Sequence, residues 1–287
     1  MITEETKHII RLALEEDLTD RGDITSDWLI REDQAGEGWV EARQDAVVSG
    51  LMPFKEIFLT VDPLLEVTLL CEDGASVKPM NRVATITGNA KSILKAERTA
   101  LNFLSHLSGI STKTAEFVAA TQAWGTQILC TRKTNPGLRE LEVAAVRHGR
   151  GDTFRSNLSD AVLVKDNHLG IIGGVEDLAE IVGSSQEGKD YLNSGKLEVL
   201  TMYELELAVK MGWKQLLLDN FTVEQVAEAV ERWGEVVNLE ASGGINEDNL
   251  KDYAATGVHA ISMGAITHSV RIADFSLEVD WKRNPQG

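Results

Sequence analysis

The feature that most constrains the fold is a repetition in the second half of the chain. Six short apolar runs recur, namely "TQILC" (126–130), "AVLV" (161–164), "KLEVL" (196–200), "KQLLLD" (214–219), "VVNLEA" (236–241) and "HAISM" (259–263). Between them lie segments with helical spacing, such as "TMYELELAVKMG", "TVEQVAEAVERWG" and "NEDNLKDYAATG". Strand–helix alternation of this kind predicts a parallel sheet, because parallel neighbours need a crossover between them. The number of units favours a closed or nearly closed β/α barrel over a doubly wound open sheet. No GxGxxG follows the first strand, which argues against a dinucleotide-binding fold.

The first hundred residues read differently. An amphipathic helix, "MITEETKHIIRLALEEDLTD", is followed by the turn-rich "RGDITSDWL", a strand over 37–49, a short helix near 53–60 and strands at 65–71 and 82–88. This is a mixed α/β region with a partly antiparallel sheet. From 89 to about 120 the spacing turns helical, with a break expected at Ser108-Gly109. We place the domain change near residue 105.

Charge narrows the partners. The net charge of -17, from 28 basic and 45 acidic side chains, repels nucleic acid and anionic membranes. No stretch approaches the ~20 apolar residues of a membrane span, and the N-terminus lacks a signal-peptide core. Cys71 and Cys130 have no CxxC partner. A cytoplasmic protein with reduced cysteines is expected.

Chemistry concentrates where the apolar runs end, which in a parallel β/α barrel is the active-site face. "ILC" runs into Thr131-Arg132-Lys133-Thr134 and "AVLV" into Lys165-Asp166-Asn167-His168. "QLLL" ends in Asp219-Asn220, "NLEA" in Ser242-Gly243-Gly244 and "AISM" in Gly264-Ala265, while Glu198 interrupts an apolar strand. Ser242, Gly243, Gly244, Gly264 and Ala265 offer main-chain N–H groups suited to a phosphate. Arg132, Lys133, Arg155 and Lys165 supply cations. Glu198 and Asp219, on adjacent strands, form a carboxylate pair suited to Mg²⁺.

At these residues the chain resembles the quinolinate phosphoribosyltransferase family, essentially from end to end. The resemblance is carried by "EEDLTDRGDITSD", "ERTALNFLSHLSGIST" (97–112), "TRKTNPGLRELE" (131–142), "LSDAVLVKDNHL" (158–169), "LLLDN" (216–220), "LEASGGIN" (239–246) and "GAITHS" (264–269). It implies an α/β class fold, with an N-terminal α/β sandwich domain (1–105) followed by an incomplete, open α/β barrel (106–269). Residues 270–287 would pack back on the first domain. It implies phosphoribosyl transfer from phosphoribosyl pyrophosphate to quinolinate with decarboxylation, a Mg²⁺ cofactor and a homodimer. By the same resemblance, Lys133, Lys165, Glu198 and Asp219 are catalytic, the two acids holding the metal. Arg98, Arg132, Arg155 and Lys165 hold the acceptor carboxylates, with Glu97 and Arg98 reaching into the partner subunit's pocket. Thr131, Phe154 and His168 are acceptor contacts, and the glycine turns hold the 5′-phosphate. No nucleophilic Ser or Cys is expected.

Three positions depart from the family pattern. Phe154 stands where the family carries a His before the Arg, Arg150 stands at a glycine position of the same loop, and Lys196 replaces the first acid of a Glu-Val-Glu strand, leaving Glu198. Phe154 can stack on a ring but cannot donate a hydrogen bond. Three other readings follow from the residues: a same-fold transferase using a different aromatic acid, a lyase with Lys165 as a Schiff base, and a non-catalytic binding protein.

Overall fold

We describe residues 2–280 in a computed structural model. The strands are β1 (Ala35–Ala42), β2 (Ala46–Val47), β3 (Glu66–Leu69), β4 (Ser76–Val77), β5 (Arg82–Asn89), β6 (Gln127–Cys130), β7 (Asp152–Thr153), β8 (Leu163–Val164), β9 (Lys196–Val199), β10 (Gln215–Asp219), β11 (Asn238–Ser242), β12 (Ala260–Ser262) and β13 (Phe275–Asp280). The chain divides into two compact units. One takes in residues up to Ala115, Asn135–Arg150 and Val270 onward; the other takes in Glu116–Thr134 and Gly151–Ser269.

The first unit is built on an antiparallel sheet of order β13-β1-β5-β3. Its core gathers Val40, Phe54, Ile57, Phe58, Ile86, Ile93, Leu104 and Phe275 with Ile10 and Leu14 of the helix Glu4–Leu18. Ile10 and Leu14 are four residues apart, so one helix face delivers both. Thr3 caps that helix by accepting a hydrogen bond from the Thr6 N–H. Asp23 caps the short helix Ile24–Leu29 by accepting from the N–H groups of Thr25 and Ser26. Residues 281–287, the end of the expected C-terminal return, lie outside the described residues.

The expected break at Ser108-Gly109 is absent: a single helix runs from Ala90 to Thr121. The glycine serves packing instead. A Cβ on Gly109 would lie 2.3 Å from the Arg271 carbonyl oxygen, so only glycine admits the chain that close. The neighbouring turn is tied down where the Ala273 N–H donates to the Ser105 carbonyl, 2.9 Å away.

The second unit is a curled, all-parallel sheet of order β7-β6-β12-β11-β10-β9-β8. Chain order and spatial order agree around it, as in a β/α barrel, but among the described residues no ladder joins β7 to β8. The barrel is therefore open. The helix after β6, Arg139–His148, belongs to the first unit, so the first crossover is missing from the ring. Later crossovers carry clear local signals. Thr201 with Glu204, and Thr222 with Gln225, form reciprocal capping boxes that start the helices Met202–Met211 and Val223–Trp233. Gly212, at φ +97°, ends the first of these.

Candidate active site

In β9, β10 and β11 the side-chain period of two sends alternate residues inward, and the register stacks them in layers. Glu198 and Glu240 flank Leu217 in one layer, while Asp219 faces Ser242 one layer nearer the strand ends. These residues line a cavity of about 520 Å³ within the second unit. Its wall also includes Thr131, Arg132, Lys133, Phe154, Arg155, Lys165, Asp166, Lys196 and Ser262. The lining holds five basic and four acidic side chains, in a protein with a net charge of -17. The excess of acid is thus confined to other surfaces.

Each charged group has a local reason for its position. At the end of β6 the Thr131 hydroxyl accepts from the Lys133 N–H (3.1 Å), and the Thr267 hydroxyl donates to the Lys133 carbonyl (2.8 Å). The backbone around Lys133 is thereby held from both sides. After β8, the Lys165 N–H donates to Nδ1 of His168 (2.9 Å), closing the first turn of the helix Asp166–Ile172. The Lys165 ammonium donates to Glu198 Oε2 at 2.5 Å. Glu198 is buried, while the Lys165 side chain remains 44% exposed.

Arg155 sits in the loop that leaves β7. Its Nη1 donates to the Ala161 carbonyl (3.0 Å), and the loop is tightened by Asp160, which accepts from the Ser156 N–H. Burial, then the charge of Arg132, holds the Arg155 guanidinium below the usual arginine range. The Nε atoms of Arg132 and Arg155 are buried and have no hydrogen-bond partner among the described residues. Two orphaned buried donors on neighbouring cations fit an incoming anion such as a carboxylate.

Asp219 accepts from the Asn220 side-chain amide (2.8 Å). Burial and the nearby Glu198 push its carboxyl above the usual range, and Lys165 and Lys133 pull only partly against them. A divalent cation would relieve that repulsion. Among the described residues there is no group of three or more His, Cys, Asp and Glu able to cage an ion. A carboxylate pair is nevertheless the donor set that suits Mg²⁺, which keeps waters and takes its remaining oxygens from a phosphorylated substrate.

The glycine turns occupy the same face but do not line the cavity wall. Gly243 (φ +91°) and Gly244 (φ +66°) take backbone shapes that side chains disfavour. A Cβ on Gly243 would meet Asn220 Oδ1 at 2.2 Å, whereas Gly244 faces open space. The next helix does not begin at this turn: it runs Leu250–Ala255, after an intervening turn in which Asn249 Oδ1 accepts from the Asn246 N–H. Gly264 does open the short helix Ala265–His268. A Cβ there would lie 3.1 Å from Lys133 Cδ, so the glycine leaves room for that side chain.

Glu97 and Arg98 lie on the long helix, within the first unit, and do not line this cavity. Arg98 is largely exposed, and burial raises the Glu97 carboxyl despite the adjacent guanidinium. Two residues escaped the sequence reasoning, Glu240 and Ser262. Glu240 carries the same signal that singled out Glu198, an acid inside an apolar strand. Its side chain accepts from both Lys196 and Ser262.

Comparison with known proteins agrees with this architecture. Models of the N- and C-terminal domains of quinolinate phosphoribosyl transferase match residues 23–108 and 110–278. A probable nicotinate-nucleotide pyrophosphorylase [carboxylating] of Methanocaldococcus jannaschii is 35% identical over 288 residues, covering 97% of this chain and 99% of the relative. The Mycobacterium leprae protein called nicotinate-nucleotide pyrophosphorylase [carboxylating] is 37% identical over 277 residues, covering 94% and 95%. The solved nicotinate-nucleotide pyrophosphorylase of Francisella tularensis superposes with a TM-score of 0.90 at 34% identity, covering 98% of each chain. With both domain models matched in order along one chain, this protein belongs to the quinolinate phosphoribosyltransferase family.

Proposed function

We propose that this protein transfers the phosphoribosyl group of phosphoribosyl pyrophosphate to the ring nitrogen of quinolinate, a step of NAD biosynthesis. The products are nicotinate mononucleotide, pyrophosphate and carbon dioxide. The bond from C1′ to the pyrophosphate oxygen breaks as the bond to nitrogen forms. The ring is then a pyridinium. Its C2 carboxylate leaves as carbon dioxide, the electron pair stays on C2, and C2 takes up a proton. The cationic ring acts as the electron sink, so no covalent catalyst is needed.

The single observation that carries this reading is the cavity itself. Arg132, Lys133, Arg155, Lys165, Glu198 and Asp219 line one chamber at the strand ends, in a chain of this family. Arg132 and Arg155 hold the acceptor carboxylates, their planar forks matching a carboxylate's two oxygens. Lys133 and Lys165 neutralise charge on the departing pyrophosphate. Thr131, Phe154 and His168 border or orient the acceptor end. The amides of Ser242, Gly243, Gly244, Gly264 and Ala265 receive the 5′-phosphate. Glu198 and Asp219 would hold Mg²⁺, which when bound lowers the charge on the leaving group. Release of Glu198 from Lys165 frees both for their ligands.

We further propose a cytoplasmic homodimer with Glu97 and Arg98 donated to the partner's site, and neither nucleic acid nor membrane as a partner. No helix of the described residues is long and apolar enough to cross a membrane. The test is direct. Purified protein with quinolinate, phosphoribosyl pyrophosphate and Mg²⁺ is expected to form nicotinate mononucleotide with equimolar pyrophosphate, and nicotinate offered as acceptor is not. Turnover of nicotinate but not of quinolinate would refute the assignment.

A further inference from the structure

Two of the residues that depart from the family pattern, Phe154 and Lys196, touch each other. Lys196, the first residue of β9, has a side chain only 5% exposed and is bonded to the equally buried Glu240. The Ser262 hydroxyl donates to the other oxygen of that carboxylate. The Lys196 ammonium lies 3.9 Å from the centroid of the Phe154 ring, at cation–π distance. All four residues line the cavity.

We propose that Lys196 and Phe154 form one acceptor-positioning unit, in which Lys196, clamped by Glu240 and Ser262, seats the Phe154 ring as a wall of the quinolinate pocket. This rests on the reading of the cavity given above. Lys196 is the positioning residue: its charge is already satisfied by Glu240, so its action runs through the ring it holds. Phe154 immediately precedes Arg155, whose buried Nε lacks a partner. A fixed Phe154 therefore also fixes the backbone from which Arg155 extends, while the Ala161 carbonyl holds its guanidinium. The negative face of the ring suits a cation. A histidine and an acid at the same two positions would be matched in the opposite sense, through a hydrogen bond. Mixed pairs are mismatched. A protonated imidazole in place of the Phe154 ring would face an ammonium, and a carboxylate in place of Lys196 would face the Phe154 ring and crowd Glu198 and Glu240. Lys196 and Phe154 are thus matched to each other, and replacing one alone leaves the other mismatched.

The test is a double-mutant cycle read separately for each substrate. F154H and K196E alone are each expected to lower kcat/KM for quinolinate about tenfold, while the combined variant loses clearly less than the roughly hundredfold that independent effects would give. The loss should fall on the KM for quinolinate, with the KM for phosphoribosyl pyrophosphate staying within about twofold. K196R, which keeps the cation, is expected to rescue. If K196E does not fold, F154L and K196M complete a second cycle in which the double variant is no worse than the worse single one. Additive losses in either cycle, or equal rises in both KM values, would overturn the proposal. A wild-type protein that makes no nicotinate mononucleotide would count against the functional reading instead. The same variants are then compared by thermal denaturation, where additive shifts would overturn the coupling on its own.

Discussion

The cavity wall of the second unit contains two lysine–carboxylate pairs that look alike in outline and differ in physics. Lys165–Glu198 joins the end of β8 to β9, and its lysine is 44% exposed. Lys196–Glu240 joins β9 to β11 across the interior, and both side chains are 5% exposed. Water competes for the first pair and not for the second. The Glu198 carboxylate is itself buried, but a pair whose lysine water can reach opens at less cost than one sealed on both sides. A buried pair has lost its hydration, and either partner left alone is a severe liability. The difference assigns them separate work: the open pair can release Glu198 to a ligand, while the sealed pair holds shape.

Substitutions sharpen that contrast. The largest effect is expected on turnover at the open pair and its neighbour. Glu198→Ala and Lys133→Ala should each lower kcat about a hundred- to a thousandfold while circular dichroism and melting stay close to wild type. Near-normal rates would remove both residues from the mechanism.

Next comes stability at the sealed pair. Glu240→Ala leaves the Lys196 ammonium buried with no carboxylate, and urea denaturation should show a loss of about 3–5 kcal/mol. Glu198→Ala strands a lysine that water can reach, and the same experiment should show about 1 kcal/mol or less. Equal losses would mean that the two pairs do not differ as their exposure implies.

The smallest effect concerns Asp219, whose carboxyl is raised by burial and by Glu198. The folded state therefore prefers its protonated form. Its contribution to stability falls as pH rises from the unfolded carboxylate range through the raised folded value. Asp219→Asn removes that cost, so the melting temperature at neutral pH should rise by roughly 1–3 °C. If Asp219 holds Mg²⁺ as proposed, adding Mg²⁺ should raise the melting temperature of the wild type and leave that of the variant unchanged. A lower melting temperature would show that the Asp219 charge is stabilising in its site.

Much of the barrel was legible from residues alone, for a physical reason. Parallel strands covered on both faces read as unbroken apolar runs, so β6 and β9 to β12 announce themselves. The helices after β9 and β10 announce themselves through Thr201 with Glu204 and Thr222 with Gln225. β8 was legible as well, inside "AVLV" (161–164), whereas the two-residue strand β7 is too short to carry a pattern. Gly109 reads as a helix breaker because local propensity cannot register Arg271, remote in sequence, pressing on its backbone. At the site, chemistry at strand ends was legible because each strand end is a local event. Glu240 was passed over because its meaning depends on Lys196, 44 residues distant.

By itself, then, the order of amino acids determined the class of fold, the succession of strand and helix, and which strand ends bear charge. These follow from periodicity and residue type within a few positions. Only the tertiary structure decided which lysine is sealed and which is open, that the ring stands open between β7 and β8, and that Phe154 and Lys196 meet. Burial and pairing are properties of what surrounds a side chain, and its surroundings come from strands that the sequence keeps far apart.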